Sequence, residues 1–111
     1  MKTNPDWRYE FVKLIQLASK NEIVLDALLD DILTPQELIA ISNRWQVIKK
    51  IYRGVPHRDI VDELGVAIAT VTRGSRMLKN KSGGFHSLIH MILSTKNPTG
   101  LTKAWRNQLM E

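Results

Sequence analysis

The residues best suited to chemistry in this 111-residue chain lie in one short stretch, residues 65–79. One side of the stretch has small, hydroxylated and basic side chains: Ala69, Thr70, Thr72, Arg73 and Arg76. Small side chains let a backbone approach DNA, hydroxyl groups bond to phosphates or base edges, and arginines pair with phosphates or guanine. The other side has apolar residues that can pack on the protein: Val66, Val71 and Leu78. The stretch therefore predicts a helix that fits the major groove of DNA.

Two short helices and a turn must hold this surface in place. A break at Val55-Pro56 is followed by a predicted helix over residues 57–64 and by another over residues 68–78. Gly65 lies between them, and two short helices joined by a three-residue turn with glycine are typical of a helix-turn-helix motif. Apolar residues stand where such a motif packs internally: Ile60, Leu64, Val66 and Val71.

Three amphipathic helices are predicted before this motif, over residues 5–20, 22–33 and 35–53. Asn4 is a suitable N-cap for the first helix, and Thr34 with Glu37 predicts a capping box at the start of the third. The second helix is apolar on most sides, so it needs more than one neighbour. This favours burial between two subunits of a dimer, and the alternative is a core helix of a single chain.

Two further helices are predicted after the motif. A linker over residues 79–84 contains two lysines and two glycines, and an amphipathic helix follows from about Phe85 to Leu93. Apolar residues are spaced for a final helix, which we expect to be less tightly held: Leu101, Trp105 and Leu109. Since no segment alternates like a strand, we predict an all-α fold, with a domain over residues 1–94 and a helical C-terminal extension over residues 95–111.

The distribution of charge favours a polyanionic partner. The net charge is +5, and residues 1–33 contain four Lys/Arg and six Asp/Glu, whereas residues 34–111 contain twelve and five. A basic second half is typical of nucleic-acid binding, and a merely solvated face is the alternative. The chain has no cysteine, which excludes disulfides and thiolate sites, and it has no apolar run of membrane-spanning length.

Other kinds of chemistry have weaker support in the sequence. Ser75 has no evident His and Asp partners, and neither a phosphate loop nor an acid–base pair is present, so we predict that the chain is not an enzyme. His86 and His90 have the i, i+4 spacing of metal ligands, but no clear third ligand accompanies them, so we predict no metal site. A helical protein-interaction module is the alternative to a DNA-binding protein.

Several motifs of the chain resemble those of one known family. Residues 68–75, Ile-Ala-Thr-Val-Thr-Arg-Gly-Ser, are similar to the signature of the Trp repressor family. Further matches are Leu33-Thr34-Pro35, Arg44, Arg53-Gly54 and Glu63-Leu64-Gly65. The order and length of the elements from about Asp6 to Leu93 also resemble the six-helix chain of that family. The resemblance implies an intertwined homodimer, whose two helix-turn-helix units (residues 57–79) bind successive major grooves of a palindromic operator in double-stranded DNA.

The resemblance also implies a function and a set of site residues. It implies a bacterial transcriptional repressor, cytoplasmic and nucleoid-associated, which an aromatic corepressor such as tryptophan switches on and which needs no other cofactor. Arg73 corresponds to the arginine that holds the corepressor carboxylate, and Arg44 to the arginine stacked on its ring. Three residues correspond to the lining of the ligand pocket: Leu33, Thr34 and Gly74. Ile68, Ala69, Thr70 and Thr72 correspond to the residues that contact bases, and Arg58 and Lys79 to residues that contact the DNA backbone. Arg76 replaces a polar residue of the family and is expected to add a phosphate contact.

Met77 is the most important departure from the family pattern. The family has a serine there, which bonds the amino group of tryptophan, whereas a thioether is a poor acceptor and an unpaired buried ammonium costs about 1–3 kcal/mol. Backbone carbonyls or Asp31 can still bind the amine and keep tryptophan as the ligand. Alternatively, the ligand at Met77 is an aromatic carboxylate without an amine, such as an indole acid. A regulator of the same superfamily without a small-molecule effector, in which Arg73 contacts a DNA phosphate instead, is a further alternative. Val61 also departs, since it replaces a DNA-facing lysine.

Overall fold

The chain folds into seven α-helices and no β-strand. In the computed structural model, which describes all residues from Met1 to Glu111, the helices are α1 (Pro5–Ala18), α2 (Glu22–Ile32), α3 (Pro35–Tyr52), α4 (His57–Leu64), α5 (Ile68–Lys79), α6 (Gly84–Ser94) and α7 (Gly100–Met110). The prediction of an all-α fold is confirmed. The chain divides into two compact units, residues 1–40 and residues 41–111. None of the helices combines the length and the apolarity needed to cross a membrane.

Side-chain caps fix the starts of the first three helices. Asn4 caps α1 and Asn21 caps α2 by accepting hydrogen bonds from backbone N–H groups of the first turn. At α3 the predicted capping box is confirmed: the Thr34 N–H donates to Glu37 Oε1 at 2.9 Å, and the Glu37 N–H donates to Thr34 Oγ1 at 3.2 Å. These bonds satisfy N–H groups that a helix N-terminus otherwise leaves unpaired, so these helix starts follow from the local sequence.

The first unit buries almost none of its apolar surface within the chain. Ala18 is its only buried residue, and α2 has none. Large apolar side chains on both helices are exposed, among them Trp7, Tyr9, Phe11, Leu14, Leu17, Ile23, Val24 and Ile32. Helix α2 is half-buried at Leu25, Leu28 and Leu29 and fully buried at none of its residues. Its burial between two subunits stays a prediction.

Two adjacent residues of α3 organise the core of the second unit. One cluster joins α3 to α4 and α5: Val47, Ile60 and Val71. The other joins α3 to α6 and α7: Ile48, Ile89, Ile92 and Leu109. Val47 and Ile48 are at most 1% exposed. Since neighbouring side chains on a helix point about 100° apart, this one helix supports both clusters at the same point along its length.

The C-terminal helix α7 is an integral part of the second unit. The ring of Trp105 meets the ring of Trp45 edge to face, with 5.7 Å between their centroids. Arg106 donates hydrogen bonds to the carbonyl oxygens of Leu93 at 2.7 Å and Thr95 at 3.0 Å, which caps the C-terminal end of α6. The expectation that the final helix is loosely held is wrong, because its apolar side completes the core and its arginine binds α6.

Helix α5 approaches α3 closely at Gly74. A Cβ atom placed at this residue would lie 2.9 Å from Cγ1 of Val47 and 3.2 Å from Cδ1 of Ile51. Val47 is buried and β-branched, so its side chain has little freedom to move away. The resemblance assigns Gly74 to the space around a ligand ring, and the structure adds a second role, since glycine lets the two helices pack together.

We expect Gly74→Ala to overpack the contact between α3 and α5. Overpacking costs about 1–3 kcal/mol, and the better helix propensity of alanine returns only about 1 kcal/mol. Gly84→Ala at the start of α6 is a matched control, because a Cβ atom there meets nothing within 4 Å. Chemical denaturation should give a free energy of unfolding about 1–3 kcal/mol lower for Gly74→Ala than for Gly84→Ala. Equal values for the two variants would contradict the close contact.

The capping box of α3 predicts a pH-dependent stability. The backbone N–H of Thr34 and then its hydroxyl lower the pKa of Glu37 from its usual 4.5. Because the pKa is lower in the folded state, the carboxylate stabilises the fold fully above pH 4.5, and this stabilisation is lost as the pH falls through the folded-state pKa.

Thermal unfolding of Glu37→Gln should therefore differ from wild type near neutral pH and converge with it in acid. Glutamine keeps an oxygen acceptor for the Thr34 N–H but has no charge to lose. Glu22→Gln is the control, since Glu22 is also an acidic residue in the first turn of a helix but has no capping-box hydrogen bond. If the two variants gave the same pH profile, the capping box would not be the cause.

Candidate DNA interface and effector cleft

The solvent-facing side of α5 contains the residues predicted to contact DNA. Six of them are exposed: Ile68, Ala69, Thr72, Arg73, Arg76 and Lys79. Thr70 is half-buried. On the opposite side of the helix, Val71 is completely buried against α3 and α4. Helix α5 thus has an apolar side fixed in the core and a basic, hydroxylated side that is open to a partner.

Helix α4 and a left-handed turn position α5. Gly65 ends α4 with a φ of +66°, a conformation that favours glycine, and its N–H donates to the Val61 carbonyl at 2.9 Å. The predicted helix-turn-helix is therefore present as α4, this turn and α5. Arg58 is exposed in the first turn of α4. Val61 is half-buried and packs against the cluster around Val47.

A cleft of about 210 Å³ lies between α3, α5 and the start of α6, and we call it the effector cleft. Its lining consists of Arg44, Val47, Ile48, Ala69, Thr70, Arg73, Gly74, Met77 and Phe85. Four of the six predicted ligand-binding residues meet in this cleft: Arg44, Arg73, Gly74 and Met77. Ala69 and Thr70 also contribute to it, so α5 contributes residues to both the cleft and the predicted DNA surface.

The cleft combines two free cations with an apolar floor. Arg44 and Arg73 are exposed, and neither forms an ion pair or a hydrogen bond, since the one ion pair of the chain joins Lys50 to Glu63. No carboxylate lines the cleft. A guanidinium group binds a carboxylate through two parallel hydrogen bonds and also stacks on flat rings. The arrangement therefore suits a small anion with an aromatic or otherwise apolar body.

Phe85 is a cleft residue that the sequence does not identify. It is predicted only as an apolar residue of α6, and its position at the cleft depends on how α6 packs on α3. Its ring stacks on that of Trp45 with a centroid distance of 6.4 Å and an interplanar angle of 13°. The Gly83-Gly84 pair before it indicates a linker between two helices, but nothing in the spacing of the residues indicates that Phe85 faces α5.

Leu33 and Thr34 lie at the junction of α2 and α3 in the first unit. Leu33 is half-buried, and its N–H donates to the Leu29 carbonyl at 2.9 Å. The hydroxyl and the N–H of Thr34 both take part in the capping box with Glu37. Their part in a ligand pocket stays a prediction.

His86 and His90 are both exposed on α6. No group of three His, Cys, Asp or Glu side chains is assembled anywhere in the chain in a way that could hold a metal ion.

Comparison with known proteins identifies a family for the chain. A family model described as Trp repressor protein matches residues 6–93. A Trp operon repressor homolog from Vibrio campbellii is 37% identical over 78 residues, which cover 69% of this chain and 76% of that protein. A homolog from Vibrio vulnificus is 35% identical over 89 residues, covering 79% and 85%. No solved structure matches the chain. The motifs around Gly65 and Arg73, the helix order and these matches agree, and the chain belongs to the Trp repressor family.

Proposed function

We propose that this protein is a homodimeric, sequence-specific DNA-binding repressor whose affinity for its operator is controlled by an aromatic carboxylate. The observation that carries the proposal is that α5 faces two ways. Its exposed side presents the predicted DNA contacts, and residues Arg73, Gly74 and Met77 of the same helix line the cleft. A ligand in the cleft would fix the helix that contacts the bases, so occupancy and DNA affinity become coupled.

The exposed apolar surface of the first unit supports a dimer. Soluble monomers rarely leave so many large apolar side chains uncovered, and α1 and α2 expose residues such as Phe11, Leu17 and Ile23. A second copy of the chain that packs on these helices would bury them. Two helix-turn-helix units in one particle would then match a palindromic operator with half-sites about one helical turn apart.

The lining of the cleft favours a ligand with one carboxylate and one flat ring. Arg73 is suited to the carboxylate and Arg44 to the face of the ring, with Met77 and Phe85 as apolar walls. Met77 favours an indole acid over tryptophan, because a thioether sulfur is a weak hydrogen-bond acceptor for the ammonium group of tryptophan. Within this proposal an amine-free indole acid fits the chain's own cleft residues, and tryptophan needs a further acceptor for its amine.

The DNA-binding part of the proposal predicts different effects for a base contact and a phosphate contact. The test uses an operator selected from random DNA by the full-length protein, followed by fluorescence anisotropy at several salt concentrations. Thr72→Ala should weaken operator binding about fivefold, with little change on random DNA, because it removes a contact to a base worth about 1 kcal/mol.

Arg58→Ala should weaken binding to both DNAs alike and lower the slope of log K against log salt by about one. Lys103→Ala, an exposed cation of α7, is the control and should change neither. If Thr72→Ala and Arg58→Ala both bound the two DNAs like wild type, the assignment of α4 and α5 to DNA contacts would be wrong.

The effector part of the proposal predicts the ligand preference of the cleft. Isothermal calorimetry with tryptophan and with indole-3-propionic acid should give saturable binding of at least one of them. Arg73→Gln should reduce that binding about tenfold or more, since the hydrogen bonds to a carboxylate are worth about 1.5–3 kcal/mol. Arg76→Gln is the matched control, because Arg76 lies on α5 outside the cleft.

Met77→Ser should raise the affinity for tryptophan relative to the indole acid. It restores a hydroxyl acceptor for the amine and offers nothing new to the acid. Binding of neither ligand to the wild-type protein, together with operator binding that ignores both, would overturn effector control. That outcome would leave a DNA-binding regulator without a small-molecule effector.

A further inference from the structure

A second cleft, separate from the effector cleft, lies between α3 and α7. It has a volume of about 230 Å³ and is lined by Gln46, Lys49, Lys50, Arg53 and Gln108. The four residues of α3 are spaced i, i+3, i+4 and i+7, so they lie on one face of the helix. Gln108 comes from α7, beyond the residues 6–93 that match the family model. The cleft shares no lining residue with the effector cleft.

Lys49 is a buried cation without a buried counter-charge. It is 9% exposed, and its Nζ donates to Gln108 Oε1 at 2.7 Å and lies 5.9 Å from the ring centroid of Trp45. An ammonium group has three N–H donors, and buried lysines are normally paired with an anion. Burial, followed by the charge of Lys50, lowers the pKa of Lys49. The Gln108 oxygen accepts from one of the three N–H donors of Lys49, and no other hydrogen bond occupies the remaining two. Neither the amide oxygen nor the ring carries a negative charge that would neutralise the ammonium group.

The other charges around the cleft leave an excess of positive charge. Lys50 is neutralised by Glu63, with 2.7 Å between Nζ and Oε2. Arg53 is exposed and has no ion pair or hydrogen bond. Because Gln108 accepts with its oxygen, its amide nitrogen remains available as a donor. The cleft therefore presents two uncompensated cations and at least one amide donor around one small space.

We propose that this cleft binds a phosphate group, either as free phosphate or as part of a small phosphate ester. A tetrahedral oxyanion accepts hydrogen bonds in several directions at once, which matches an ammonium, a guanidinium and an amide arranged around one space. The volume of the cleft is several times the 30 Å³ or so that a water molecule takes up in the liquid. Because Lys49 is recessed, the cleft fits a small anion better than the backbone of a DNA duplex.

Titration of the full-length protein with inorganic phosphate tests the proposal. Calorimetry at constant ionic strength, with chloride as the replaced anion, should give one saturable site per chain. Lys49→Met should weaken it about tenfold or more, because methionine fills the space of the lysine stem without its charge. Lys103→Met, an exposed lysine of α7 outside the cleft, should bind like wild type.

A surface variant keeps the test valid if Lys49→Met fails to fold. Arg53→Gln removes an exposed charge and should weaken phosphate binding several-fold with an unchanged circular dichroism spectrum. Glycerol phosphate distinguishes the two sources: tighter binding than phosphate would assign the site to esters, and equal or weaker binding to free phosphate. Because the effector cleft is separate, the affinity for tryptophan or an indole acid should be the same in Arg53→Gln and wild type.

Three results would overturn the proposal. The first is that the wild-type protein binds phosphate no better than chloride. The second is that the Arg53→Gln protein binds phosphate as well as wild type does. The third is that the operator affinity of Arg53→Gln falls by the same factor as its phosphate affinity, which would assign the cations to the DNA backbone.

Discussion

The contact of α3 with the rest of the second unit is the constraint on which the other features depend. Val47 and Ile48 are consecutive and almost completely buried, and they belong to separate clusters. Through Val47 the helix fixes α4 and α5, and through Ile48 it fixes α6 and α7. Because a packed core transmits displacement instead of absorbing it, a change in the position of α5 relative to α3 must alter the cleft between them. In the proposed function, this packing would be the mechanical basis for coupling a ligand in the cleft to DNA binding.

Gly74 would make this proposed coupling direct. Without a side chain at that point, the backbone of α5 lies against Val47 and Ile51, and the effector cleft opens beside the same contact. The α5 residues that line the cleft extend from Ala69 to Met77, along most of the helix. A ligand in the cleft would therefore contact the same turns that carry the exposed Thr72 and Arg76.

The sequence predicts what depends on local chemistry and misses what depends on distant packing. The caps at Asn4 and Thr34 and the left-handed turn at Gly65 follow from residue types within a few positions. Arg44, Arg73, Gly74 and Met77 are found from the family resemblance, because their spacing repeats a known pattern. The tight packing of Trp105 on Trp45 and the arrival of Phe85 at the cleft depend on residues tens of positions apart. Lys49 looks like any surface lysine until α7 covers it.

The two clefts use roughly opposite sides of α3. At 100° per residue, Arg44, Val47 and Ile48 point one way, whereas Gln46, Lys49, Lys50 and Arg53 point the other way. Each side has basic groups without an ion pair, and Glu63, which binds Lys50, is the single carboxylate that pairs with a cation of α3. Like charges at i and i+4 on a helix repel one another, so an anion in the cleft between α3 and α7 would relieve repulsion between Lys49 and Arg53, and an anion in the other cleft would lie between Arg44 of α3 and Arg73 of α5. Such an anion would stabilise α3, and through Val47 and Ile48 it would stabilise the core that holds the DNA-facing helix in place.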